Sequence, residues 1–133
     1  MNKTKIAYWI CTVALCLLYA AGAAFYLTQR PMVEAAYAGL GYPTYLINVL
    51  IVVKILAPIV ILTRYSVRLS DLAYAGMFFH LLLAISAHLN AGDGGYPAAV
   101  VMLLLLVGSF LTQNAGRKVA SPNVPEVLFG VRA

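Results

Sequence analysis

Apolar residues fill four long stretches of the 133-residue chain, and short polar or glycine-rich segments separate them. Ile6 to Leu27 is 22 residues without a charge. Tyr45 to Leu62 is interrupted only by Asn48 and Lys54, Leu72 to Leu89 contains His80 and His88, and Pro97 to Thr112 surrounds the core VVMLLLLVG. About 20 apolar residues carry a helix across the hydrocarbon core of a bilayer. The pattern therefore predicts an all-α chain, a four-transmembrane-helix bundle with spans at about 6–27, 45–62, 72–89 and 97–112. The fourth run rises only about 24 Å at 1.5 Å per residue. It needs either an extra turn into Gln113 and Asn114 or a locally thinned bilayer.

The segments between the runs are equally informative. Thr28 to Thr44 is longer than a helical hairpin requires. Pro31 can open a helix there, Met32, Ala36 and Leu40 share a face with Val33 and Tyr37 beside them, and Gly39 with Gly41 can end it. A short interfacial helix in the first outer loop is expected. Ser70 can cap the third span with Asp71 in its first turn. Asn90 to Tyr96 (NAGDGGY) is a tight glycine-rich turn. Residues 1–115 then form the membrane domain, and 116–133, with Pro122 and Pro125, read as a flexible cytoplasmic tail.

Composition agrees with a membrane protein: 63% of residues are hydrophobic and only 10% charged. The net charge of +5 is spread over the ends of the apolar runs rather than gathered in a stripe, which argues against nucleic acid. Lys3, Lys5, Arg64, Arg68, Arg117, Lys118 and Arg132 fall on one side, whereas the other has only Arg30. The positive-inside rule places both termini in the cytoplasm, N-in and C-in. Tyr8, Trp9, Tyr65 and Tyr74 then fall near the inner interface, and Tyr26, Tyr42, Tyr45 and Tyr96 near the outer one, as an aromatic belt. Lys3, Lys5 and the small residues from Ala20 to Ala24 also suit a cleaved signal peptide. The length of the run favours a retained helix instead. Cys11 and Cys16 lie about 140° apart on a helix and cannot pair within it.

Lys54 is the residue that demands a reason. A lysine at a helix centre costs about 2.5–3.5 kcal/mol on insertion scales, and intramembrane charges are candidate functional sites by default. None of the four carboxylates, Glu34, Asp71, Asp93 and Glu126, lies inside an apolar run. Counted from the inner ends, Lys54 and His80 are both eight residues deep, and Cys16 comes close to that level. Asn48, Ser86 and His88 form a second polar layer nearer the outer surface, with Asp93 just above. Pro58 cannot donate to the carbonyl of Lys54, so the second span is irregular where it is charged. A pocket between the first three spans follows, with Lys54, His80, His88, Asn48, Ser86 and Asp93 as its candidate ligand-binding residues. Each also has a structural alternative: Lys54 and His80 as hydrogen-bonding groups of the bundle, His88 as a partner of the third loop, the cysteines as packing residues. No catalytic or metal-binding motif occurs. His80 and His88 are eight apart, about 80° round a helix, with no third ligand beside them.

Five segments in order, KIAYW (5–9), LGYPTYL (40–46), KIL (54–56), DLAYAGMFF (71–79) and SAHLNAGD (86–93), resemble the small DoxX-like membrane proteins of the broader DoxX/DoxD group. The likeness covers about residues 5–112. It implies an uncleaved first helix and a four-helix bundle in a bacterial-type cytoplasmic (inner) membrane. Ala57-Pro58 departs from the glycine that usually follows the KLL-type segment. The broader group includes a subunit of thiosulfate:quinone oxidoreductase and accessory proteins of redox enzymes. A polar core without a complete catalytic set points, beside this resemblance, to a non-catalytic accessory, partner-binding or ligand-binding subunit near membrane redox metabolism, with a redox enzyme or further copies of the chain as partners. The alternative is a quinone-interacting protein in which Lys54 and His80 donate to the quinone and His88 with Asp93 relays protons.

Overall fold

The computed structural model describes residues 2–125 as five helices, without a strand among them. These are α1 (Lys3–Thr28), α2 (Arg30–Gly39), α3 (Leu46–Thr63), α4 (Val67–Ala91) and α5 (Tyr96–Gly116). All but α2 are long and apolar enough to cross a membrane. α5 does extend past Thr112, through Gln113 and Asn114. α4 starts a turn earlier than Ser70, because Ser66 supplies the cap by accepting from the Leu69 N–H. Ser70 is then buried on the inward face.

Neighbours in the chain are neighbours in space. α1 packs on α3 and α5, and α4 packs on the same two, closing a ring in which α1 faces α4 across the diagonal. Leu15, Tyr19, Ile61, Met77, Leu81 and Leu106 fill the centre. Most large apolar side chains elsewhere, such as Ile10, Leu17, Phe79 and Leu104, point outward. That is the distribution for a bundle solvated by lipid rather than water.

Polar groups stitch the core. Ser109 Oγ lies 2.6 Å from both Thr12 Oγ1 and Tyr74 Oη, joining α1, α4 and α5. Tyr74 is thus a core residue, as is Tyr8, and neither belongs to an interfacial belt. Tyr8 lies against Gly116, where any Cβ would overlap its ring. Arg117 stacks over Trp9 and Tyr8, bonds Tyr8 Oη at 2.6 Å, and donates to the free carbonyls of Ile61 and Leu62 at the end of α3.

At that same end, Arg64 holds a left-handed backbone (φ 52°) that breaks the chain between α3 and α4. Its guanidinium donates to Gln113, Ser70 and the Val119 carbonyl, which fixes it there. The segment after α5 is not loose over residues 117–125. Asp71 accepts from Ser121 Oγ at 2.5 Å and Asn123 Nδ2 at 2.8 Å, while Ser121 and Asn114 exchange two hydrogen bonds. Pro122 and Pro125 suggested a flexible tail, but the polar side chains beside them tie the described part down. Residues 126–133 of the expected tail lie outside the described residues.

At the opposite end, α2 follows α1 after a single residue, with Pro31 in its first turn. Val33 packs on Ile47 and Ile51 of α3, and Tyr37 meets Tyr26. The inward face is therefore Val33 and Tyr37. Met32 and Ala36 point away, Met32 being 60% exposed.

Candidate functional site

Lys54 is 7% exposed and faces α1. Its ammonium lies 5.1 Å from the Tyr19 ring centre and 4.9 Å from that of Tyr26, with Gly22 between them. Tyr19, Gly22 and Tyr26 recur at intervals of three and four, so one stripe of α1 presents two aromatic faces with a gap. A Cβ on Gly22 would sit 3.3 Å from Lys54 Nζ. The ammonium has three donors, and none has a hydrogen-bond acceptor or carboxylate among the described residues.

His80 does not bond Lys54. Tyr19 stands between them, its ring beside the ammonium and its hydroxyl 2.9 Å from His80 Nδ1. The two residues share a level, as depth counting predicts, but a residue from the diagonal helix connects them. Cys16, also buried, lines a groove with Lys54 and Pro58.

His80 opens instead on a cavity of about 250 Å³ whose lining includes His88, Tyr26, Tyr37 and Tyr42. Positions 80, 84, 87 and 88 of α4 form one stripe on its wall, placing the two histidines about 12 Å apart along the axis. Burial first, and then the hydrogen bond to Tyr26, push the Tyr37 phenol up, so it stays neutral. His88 Nδ1 lies 2.8 and 2.9 Å from the two carboxylate oxygens of Asp93. The Gly95 N–H, donating to Asp93 at 2.8 Å, and then His88 hold that carboxyl below the usual range.

Asn48 and Ser86 are not part of this arrangement. Asn48 points outward and accepts from Arg30 Nη1 at 2.7 Å, while Arg30 Nε pairs with Glu34. Ser86 lies on the exposed side of α4, off the stripe that carries the histidines, with no side-chain hydrogen bond among the described residues. Sequence reasoning missed Tyr19, Gly22 and Tyr26. Their three-and-four spacing on α1 was the available signal.

The arrangement can hold a polar-headed molecule by hydrogen bonds and stack it on tyrosines. Among the described residues, no three His, Cys, Asp or Glu side chains gather in a metal-binding group. The sequence profile of the DoxX-like family matches residues 10–110, which takes in every element of the bundle. The chain belongs to the DoxX-like family. It is a multi-pass integral membrane protein in contact with lipid. Comparison of this DoxX-like chain with curated proteins and with solved structures finds no match.

Proposed function

We propose that this DoxX-like protein is a non-catalytic accessory subunit of a bacterial-type inner membrane that binds a small polar-headed ligand beside membrane redox enzymes. The observation that carries it is the shared cavity of His80 and His88, walled by tyrosines from α1, α2 and the α2–α3 connection. The family supports the setting. Charge supports the orientation: Lys3, Lys5, Arg64, Arg68, Arg117 and Lys118 cluster at the end of the bundle where α1 begins and α5 ends, so this end faces the cytoplasm. α2 then lies at the outer interface and roofs the cavity. Native mass spectrometry of protein taken directly from membranes tests the assignment. The expected spectrum retains a small molecule that His80→Leu loses, and shows subunit count and any co-purifying enzyme together. Turnover by the purified protein without partners would overturn the non-catalytic role.

A quinone is the second reading, favoured by two histidines at separate levels of one aromatic-walled cavity. Carbonyl oxygens at opposite edges of a ring would accept from His80 and His88, and Asp93 would connect His88 to the outer surface. Lys54 supports the site indirectly, through Tyr19. Lipid extracted from the purified protein should contain one quinone per chain, and a quinone-free extract sinks this version.

A further inference from the structure

A second opening lies between α1 and α3. The groove, of about 500 Å³, shares no lining residue with the histidine cavity. Cys16, Ala20 and Ala24 form one wall and Pro58 and Leu62 the other, and Lys54 is the only charged residue among its lining. The alanines make the room.

Lys54 lines this apolar surface, and its ammonium has no acceptor among the described residues. Of the carboxylates among the described residues, Glu34 pairs with Arg30, Asp71 with Ser121 and Asn123, and Asp93 with His88 and Gly95, so none of them compensates it. Tyrosine ring faces attract the cation but leave its N–H donors unused. Burying a charge costs heavily unless it is paired and hydrogen-bonded. An anion reaching Lys54 through the groove would supply both the charge and the acceptor.

The geometry points to this groove as a binding site for a long-chain monoanionic amphiphile with a carboxylate head. One negative charge matches one ammonium, whereas a larger or doubly charged head would carry excess charge into a wall that cannot solvate it. The carboxylate accepts from Lys54. The alkyl chain lies along the groove, whose α1 wall runs from Val13 to Leu27, about 21 Å of helix rise. The groove shares no lining residue with the histidine cavity, although the Lys54 ammonium also rests against Tyr26 of that cavity's wall, and failure of acid binding here leaves that assignment standing.

Delipidated protein is titrated with hexadecanoic acid and with its methyl ester, and bound molecules are counted by native mass spectrometry. The acid should bind once per chain, and the ester, or the acid with Lys54→Met, roughly tenfold or more weakly. Lys54→Arg should retain binding. Equal binding of acid and ester, or undiminished binding by Lys54→Met, overturns the proposal. Should Lys54→Met fail to fold, Ala20→Phe fills the groove with the lysine intact. It should abolish acid binding, and unchanged binding places the acid elsewhere.

Discussion

Lys54 tests whether a buried charge serves stability or binding. Its insertion cost of about 2.5–3.5 kcal/mol exceeds what its two cation–π contacts return at about 1 kcal/mol each. Lys54→Met in ligand-free detergent should therefore unfold at a higher temperature, gaining about 1 kcal/mol. A clear loss of stability would make the lysine a structural member of the core. Tyr19→Phe removes the partner of His80 while keeping the ring, and should cost about 1–3 kcal/mol. Asp93 provides a pH test. Because its folded-state carboxyl lies below its unfolded value, its stabilising contribution is present above the unfolded value and fades as pH falls through the folded one. Thermal unfolding followed from neutral to strongly acidic pH should show a smaller acid loss in Asp93→Asn than in the parent. Identical profiles would show that the contact with His88 and Gly95 contributes nothing.

Helices were legible in the sequence wherever one property dominated, and less so where two competed. Long apolar runs located all four spans, and Pro31 with the paired glycines located α2. The start of α4 was misplaced because Ser66 and Ser70 are both competent caps and only packing chooses between them. Lys54 stood out as a charge in an apolar run, and depth counting found its level with His80. Tyr19 escaped because a tyrosine in an apolar helix resembles ordinary core. Tyr26 escaped because its position near a helix end suited an aromatic belt. Asn48 and Ser86 have the right depth but the wrong face, which counting along the chain does not resolve. The α1–α5 contact offers a test at this scale. Gly116→Ala forces a methyl group into the Tyr8 ring and should destabilise the bundle by about 1–3 kcal/mol. Gly39→Ala, where nothing lies within 4 Å, is the control.

The molecule as a whole is a ring whose first and fourth spans adjoin, latched by the segment that follows. Asp71→Ala should free residues 117–125, seen as faster amide exchange there, with little change in the melting of the helices. Unaltered exchange would mean that the Asn114–Ser121 pair and Arg64 hold the segment without Asp71. Arg117 carries a further consequence, for biogenesis. The carbonyls it caps belong to α3, yet it emerges from the ribosome only after α5, so α3 enters the bilayer with that end open. The α1–α3 groove is present before the α1–α5 seam closes. A chain truncated before Arg117 and released should therefore insert all four spans but remain unlocked, accessible to cross-linkers that no longer reach the closed ring.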